Sequence, residues 1–382
     1  MHEAYNILSI FVTSGILLAC GLMLLFSVIP GGRLSGNYHK ARFMMAGAYL
    51  FFVVLDIVEY LFQTLPDAQD ITLMQTITLT IAVSQAFLFS FAMLALLEVR
   101  FPGWRYVFLE AALPVLLVAA VFTAYACCTA ETFGVVFYAF TGLYALLLVR
   151  YTCLFLASYG RFRLQMDNYF SDMEADRLRW VAFSFFAALA VGVMALLSAV
   201  FMSTVVALLF TIIFDTFYLY FAVRFINYSH QFQAIERAMD AGGAEECLPA
   251  SLEGTEAGGK TTGMHADAFT QLEKRIDEWI AGKGFTEKGI TIDLLAARLY
   301  TNSKYISVYI NIHKKQTFRE WINGLRIEEA KILLLQYPEM TVLEIASRVG
   351  IATGSHFGKQ FRASTGLSPS RWREKELSQN VH

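Results

Sequence analysis

Long apolar stretches alternate with short polar connections along the first 223 residues of the chain. A helix needs about 20 apolar residues to cross a hydrocarbon core of about 30 Å. Seven stretches reach that length, at residues 6–29, 43–65, 71–97, 107–128, 133–157, 180–202 and 204–223. The pattern therefore predicts seven membrane-spanning helices, and the count becomes six or eight if one hairpin only re-enters the membrane.

The pattern changes in the last third of the chain. From about Phe269 the apolar residues recur every three or four positions, which is the period of helices that bury one face. We therefore predict an all-α fold, in which a polytopic transmembrane helix bundle is followed by a cytoplasmic helical domain. The predicted boundaries are 1–223 for the membrane domain, 224–241 for a connector helix, 242–264 for a flexible linker and 265–382 for the C-terminal domain.

Composition supports this division. Of the 382 residues, 56% are hydrophobic and 16% are charged, whereas soluble domains carry about 25% charged residues. Residues 1–223 contain 10 Lys or Arg and 13 Asp or Glu, whereas residues 224–382 contain 20 and 19. The composition excludes an ordinary soluble enzyme, and the 15% of aromatic residues excludes a disordered chain.

The basic residues of the membrane domain fall on one side. Connections 30–42, 98–106 and 158–179 all carry Lys or Arg, and the alternate connections carry none. Because cytoplasmic loops are enriched in Lys and Arg, we predict an outside N-terminus and a cytoplasmic C-terminal domain.

The connector that follows the seventh stretch has apolar residues at a 3-4-3-4 spacing, which is the pattern of a two-stranded coiled coil. These residues are Phe225, Tyr228, Phe232, Ile235 and Met239. They predict a dimerising helix, and the alternative is an amphipathic helix on the membrane surface.

Three acidic residues lie inside the predicted spans. Asp56 and Glu59 share one face of the second span, and Asp215 lies in the middle of the seventh. Ionisable groups at such depth are costly and usually face the interior of the bundle. They indicate either an intramembrane sensing site or a structural polar cluster.

The sequence offers no constellation of enzyme residues. None of the seven His lies within a predicted span or forms a metal-type pair. Residues 254–261 fit the phosphate-loop pattern but lie in a polar linker, without the strand and helix that such a loop requires. We therefore predict no catalytic residue, no metal site and no cofactor.

The C-terminal domain contains two candidate helix-turn-helix units. In the second, Thr341 and Glu344 form a predicted capping box, and Gly350 occupies the turn. The next helix turns Phe357 and Phe361 inward, and its predicted outward face suits a DNA major groove. That face comprises Gly354, Ser355, His356, Lys359 and Arg362.

The first unit repeats this arrangement. Asn302 is a good helix N-cap, and Ile306, Tyr309 and Ile310 are predicted to face the core. The outward positions are Ser303, Lys304, Ser307 and Asn311. A long helix over Phe318–Gln336 is predicted to join the two units.

Residues 345–373, IASRVGIATGSHFGKQFRASTGLSPSRWR, resemble the signature of the AraC/XylS transcription regulators. The resemblance extends over about residues 270–375. It implies two helix-turn-helix units set in successive major-groove faces about 34 Å apart. It also implies that the outward residues of both reading helices face DNA, and that Arg362 and Arg373 meet phosphates. Three residues depart from the family pattern, because Tyr300 and Lys315 stand where Gly is frequent and Ile351 replaces Phe.

We therefore predict a one-component transcription regulator in the bacterial cytoplasmic membrane, which senses a stimulus in or at the membrane and binds operator DNA. The expected partners are double-stranded DNA, the lipid bilayer, a second copy in a homodimer, RNA polymerase and an unidentified small molecule or membrane protein as stimulus. The alternatives are a transporter or channel with an appended regulatory domain, and a membrane enzyme.

Overall fold

The computed structural model describes residues 2–27, 35–63, 71–98, 103–172, 179–201, 204–243 and 261–379. Within these ranges the chain is helical, and its β pairing is confined to an isolated antiparallel bridge between Phe170 and Thr291. The predicted all-α fold class is therefore confirmed. The chain divides into two compact units, one formed by Met1–Phe162 and Leu178–Glu236 and the other by Arg163–Arg177 and Arg237–His382.

The described residues of the N-terminal part of the chain form seven helices. They are α1 (His2–Phe26), α2 (Ser35–Gln63), α3 (Ile71–Leu97), α4 (Trp104–Cys127), α5 (Ala130–Tyr169), α6 (Arg179–Phe201) and α7 (Thr204–Gly243). Each of them contains most of one apolar stretch found in the sequence.

Five segments of these helices are long and apolar enough to cross a membrane. They are Gly36–Val58, Gln75–Leu97, Trp104–Cys127, Glu131–Tyr169 and Leu209–Tyr228. Two shorter apolar helical segments, Phe11–Phe26 and Arg179–Ala195, were found in the same described ranges. Seven crossings remain a prediction.

Tyrosine side chains join α2 to α7 in the first unit. The Tyr38 hydroxyl donates to the carbonyl oxygen of Phe225 at 2.7 Å, and the Tyr49 hydroxyl donates to that of Tyr218 at 2.7 Å. Both tyrosines are buried, where a hydroxyl needs such a partner. Tyr49 follows Tyr38 along α2, whereas its partner Tyr218 precedes Phe225 along α7. The two helices therefore run antiparallel.

The predicted connector continues α7 without a break as far as Gly243. Phe225 and Tyr228 are buried in the first unit, with Phe225 stacked on Tyr38 and Tyr228 against Trp180, each at 5.0 Å between ring centroids. These two residues therefore pack within one chain, whereas a dimer seam would present them to a second copy. The side chains of Phe232, Ile235 and Met239 lie outside the described part of the chain, and the seam stays a prediction that rests on them.

The described residues of the C-terminal unit contain seven further α-helices. They are α8 (Thr261–Ala281), α9 (Ile292–Arg298), α10 (Ser303–Tyr309), α11 (Phe318–Gln336), α12 (Val342–Arg348), α13 (Gly354–Thr365) and α14 (Pro369–Gln379). The predicted long helix over Phe318–Gln336 is confirmed as α11, which begins with a capping box between Thr317 and Glu320. It contacts α12, α13 and α14, and residues Arg163–Asp172 belong to the same unit.

Candidate nucleic-acid interface

The α12 helix begins as its sequence predicts. The Thr341 hydroxyl accepts from the backbone N–H of Glu344 at 3.2 Å, and the Glu344 carboxylate accepts from the N–H of Thr341 at 2.8 Å. Hydrogen bonds from the backbone and side chain of Thr341 lower the pKa of the Glu344 carboxyl. The predicted capping box is confirmed, and it fixes the direction in which α12 enters the domain.

The turn after α12 requires glycine. Gly350 has φ = 86°, a left-handed conformation that residues with a Cβ rarely adopt. A Cβ at this position would lie 2.3 Å from the carbonyl oxygen of Thr286, so the turn also passes close to the backbone near α9. Ile351, which replaces the usual Phe of the family, is buried directly after the turn.

The α13 helix has one face packed in the core and polar residues on the opposite face. The Thr353 hydroxyl accepts from the N–H of His356 at 3.3 Å and caps the helix, while Phe357 and Phe361 are fully buried. The predicted outward residues are exposed or half-buried: Ser355, Lys359 and Arg362 are exposed, and Gly354 and His356 are half-buried. The N-terminal residues of such a helix are those that contact base edges in helix-turn-helix proteins.

The first helix-turn-helix unit has the same order of helices as the second, with a shorter reading helix. The Asn302 Oδ1 accepts from the N–H of Lys304 at 2.9 Å, which confirms Asn302 as the N-cap of α10. Ile306, Tyr309 and Ile310 are buried as predicted, and burial raises the pKa of the Tyr309 hydroxyl. The Ser303 and Lys304 side chains are half-buried, and Asn311, in the π-helical turn Ile310–Lys314 after α10, is exposed.

In the first helix-turn-helix unit, the two residues that stand where the family often has glycine both have left-handed backbone conformations. Tyr300 has φ = 50° and Lys315 has φ = 52°. These residues therefore carry a backbone conformation that glycine would adopt without a steric cost. The family pattern identified the special positions correctly, although this chain fills them with other residues.

Two predicted DNA contacts need correction. Ser307 was expected to face outward, but it is buried, because residues 306–310 all pack into the core, and its Oγ accepts from Asn311 Nδ2 at 3.3 Å. Arg373 was expected to meet phosphates, but its guanidinium donates to the carbonyl oxygens of Pro338 and Met340, each at 2.8 Å. It holds the turn between α11 and α12, and so contributes to the scaffold of the reading helix.

Two of the acidic residues in the apolar helices contact α1. The Ser14 hydroxyl donates to Asp56 Oδ2 and the neighbouring Thr13 hydroxyl donates to Asp215 Oδ2, each at 3.1 Å. Sequence reasoning missed these two hydroxyls, for which the adjacent Thr and Ser inside an apolar stretch were the available signal. The side chain of Glu59, the third predicted residue, lies outside the described part of the chain.

The C-terminal compact unit contains two helix-turn-helix units that are joined by α11. This arrangement defines it as a double helix-turn-helix DNA-binding domain. A family model described as a helix-turn-helix domain matches residues 295–375. The chain is 31% identical over 111 residues to the uncharacterized HTH-type transcriptional regulator YijO of Escherichia coli strain K12, over 29% of this chain and 37% of that protein. It is 30% identical over 95 residues to the uncharacterized HTH-type transcriptional regulator YtdP of Bacillus subtilis strain 168, over 24% of this chain and 12% of that protein. The C-terminal part of the chain therefore carries an AraC-type helix-turn-helix domain.

Proposed function

We propose that the chain is a membrane-embedded, one-component transcription regulator that binds operator DNA through its AraC-type domain. The observation that carries this proposal is the exposed row of Ser355, Lys359 and Arg362 on α13, whose opposite face is anchored by two fully buried phenylalanines. Short polar side chains can reach base edges from such a helix, and the basic side chains can neutralise phosphates.

The apolar helices of the N-terminal compact unit support placement in the bacterial cytoplasmic membrane. Several are long enough to cross a bilayer, and the Lys and Arg lie in every second connection, which puts them on one side of a membrane. This distribution favours an outside N-terminus and puts the DNA-binding domain in the compartment that contains the chromosome.

We propose that the stimulus acts at the acidic residues of the apolar helices. Asp56 and Asp215 are drawn to adjacent hydroxyls of α1, and Asp215 Oδ1 is buried without a hydrogen-bond partner among the described residues. Asp215 belongs to α7, which continues to Gly243 and includes, beyond Tyr228, the residues on which the predicted dimer seam rests. A small molecule or membrane protein that binds one arrangement of these helices more tightly would shift the population of DNA-binding states.

Operator binding can be tested with the full chain reconstituted in lipid nanodiscs and challenged with genomic fragments of its source organism. We expect selective recovery of a few fragments by the wild type. Lys359→Ala and Lys304→Ala should each weaken binding by about 1–3 kcal/mol, or about 5- to 150-fold, because each removes a base or phosphate contact. Lys375→Ala, which removes an exposed lysine of α14, is the matched control. Equal binding by all four proteins would contradict the proposal.

The sensing role can be tested by Asp215→Asn, which keeps the size of the side chain and removes its charge. With a reporter driven by a recovered fragment, we expect the output of this variant to be fixed at one level across growth conditions that change the wild-type output. Thr13→Val, which removes the hydroxyl that Asp215 accepts from, should have the same effect to a smaller extent. A wild-type response in both variants would refute the assignment of Asp215.

A further inference from the structure

The DNA-binding unit contains a piece of chain that is far from it in sequence. Residues 163–172, which we call the docking segment, comprise the last turns of α5 and the three residues that follow. They contact the turn at 284–291 and the helices α9 and α11. Neither the apolar pattern of α5 nor the helix-turn-helix motif accounts for this association.

Asp172 of the docking segment neutralises a buried arginine. The Arg326 side chain in α11 is 0% exposed and donates to the carbonyl oxygens of Phe285 and Glu287, at 2.8 and 2.6 Å. Its Nη1 donates to Asp172 Oδ1 at 2.6 Å, and the second carboxylate oxygen accepts from the N–H of Gly289 at 2.5 Å. A buried guanidinium without a counter-charge is strongly unfavourable, so the docking segment supplies a charge that α11 requires.

Two further side-chain contacts surround this ion pair. The Tyr169 hydroxyl donates to Asp293 Oδ2 at 2.7 Å, at the start of α9. Arg319 Nη1 donates to Asp167 Oδ1 at 2.8 Å, at the start of α11. The docking segment therefore touches the two helices that support the first reading helix.

The backbone of the docking segment also pairs with the domain. Phe170 and Thr291 form the isolated antiparallel bridge, and the N–H of Ser171 donates to the carbonyl oxygen of Ile290 at 3.1 Å. Thr291 is at the same time the N-cap of α9. A change in this pairing would therefore act directly on the first helix of the first unit.

The accessible part of the contact suits a reversible interaction. Beside the buried Met166 and Tyr169, the contact is made by ion pairs, hydroxyl groups and backbone hydrogen bonds. The Arg319–Asp167 pair is partly accessible, with 17% and 21% of the two side chains exposed. Contacts within a chain that are polar in this way resemble transient protein interfaces. The contacts described for the segment involve none of the residues predicted to face DNA.

We propose that residues 163–172 are a regulatory docking segment, which holds the first helix-turn-helix unit in one of two states that differ in operator affinity. This inference rests on the proposed function for its effect on transcription. Because α5 supplies both an apolar span and the docking segment, a stimulus that changes α5 reaches the DNA-binding domain by a path separate from the α7 connector.

The contact itself can be tested by disulfide cross-linking of Phe170→Cys and Thr291→Cys in the full chain in native membranes. Partners in an antiparallel bridge have Cα atoms about 4.5–5.5 Å apart, which lies within the range that a disulfide spans. The five native cysteines are replaced by Ser or Ala beforehand. Phe170→Cys combined with Lys375→Cys is the control, and we expect a cross-link in the first pair far above that control. Equal yields in the two pairs would overturn the proposal.

The regulatory effect can be tested by exchanging the charges of the accessible ion pair. Asp167→Arg and Arg319→Glu each place like charges together, and we expect each to reduce cross-linking and to change reporter output by about fivefold or more. The double variant restores the ion pair and should recover both readings. Lost cross-linking with wild-type output would refute regulation by docking. An efficient cross-link in a wild-type chain that binds no operator would instead refute the proposed function while the contact stands.

Discussion

The two helix-turn-helix units have the same order of helices but differ in how their turns and surroundings are built. In the second unit glycine fills the left-handed positions, Gly350 and Gly366, and the reading helix α13 has 12 residues. In the first unit Tyr300 and Lys315 carry positive φ angles, and the reading helix α10 has seven residues. The docking segment contacts α9, which begins the first unit. The comparison indicates that the turns of the first helix-turn-helix unit carry a left-handed steric cost that glycine removes in the second.

The largest effect is expected at the turn of the second unit. Gly350→Ala combines left-handed strain with a clash against the Thr286 carbonyl oxygen, and should destabilise the unit by about 3 kcal/mol. Hydrogen exchange of the α12 amides in the full-length protein measures this loss. Gly358→Ala in α13 is the matched control, because a Cβ there meets no atom within 4 Å and alanine favours a helix. Similar protection in both variants would remove the distinction between the units.

A smaller effect separates two arginines, Arg362 in α13 and Arg373 in α14. Arg373→Ala removes two hydrogen bonds to carbonyl oxygens and should lower stability by about 1.5–3 kcal/mol, with little change in the salt dependence of DNA binding. Arg362→Ala should leave stability unchanged and reduce the salt slope by about one. Urea unfolding and DNA binding at several salt concentrations test both. A reduced salt slope for Arg373→Ala would restore its predicted phosphate contact.

The first unit should respond to glycine in the opposite direction from the second. Tyr300→Gly relieves left-handed strain at a residue that is 89% exposed, and we expect a gain of about 0.5–1 kcal/mol after the entropic cost of glycine. Lys315→Gly should act similarly. Protection of the α9 and α10 amides from hydrogen exchange provides the measurement, and a loss of protection in both variants would show that these positions are not strained.

The smallest effect concerns pH. Glu344 has a lowered pKa in the folded state, so its contribution to stability is complete above its ordinary pKa of 4.5 and is lost as pH falls through the lower folded value. The Glu344→Gln variant should therefore approach wild-type stability on acidification. The corresponding helix α9 is capped by Thr291, with Leu294 in place of the glutamate, and gains no such dependence. A stability difference that is constant from pH 7 to pH 3 would contradict this account.

The sequence predicts the helices and core of the C-terminal domain well, because periodicity and capping are local properties. Thr341, Gly350, Phe357 and Phe361 all take their expected positions. The orientation of Ser307 was wrong because a seven-residue helix that runs into a π-helical turn does not keep the periodicity of a longer helix.

Contacts between residues that are distant in the chain could not be predicted from local sequence patterns. The Asp172–Arg326 pair joins residues 154 positions apart, and the Thr13–Asp215 contact joins residues 202 positions apart. The Lys and Arg of the connection 158–179 predicted its side of the membrane, but no role was predicted for its acidic residues. Charged groups that need a buried partner are identified only when packing brings that partner close.

The central claim is that one chain is inserted in the membrane and bound to promoter DNA at the same time. Its most direct test is chromatin precipitation of the intact chain from the membrane fraction of cross-linked cells, for the wild type and for Lys359→Ala. We expect enrichment of specific promoters by the full-length wild-type chain, and loss of that enrichment in a variant that is inserted equally well. Equal enrichment by both chains, or DNA bound only by fragments released from the membrane, would contradict it.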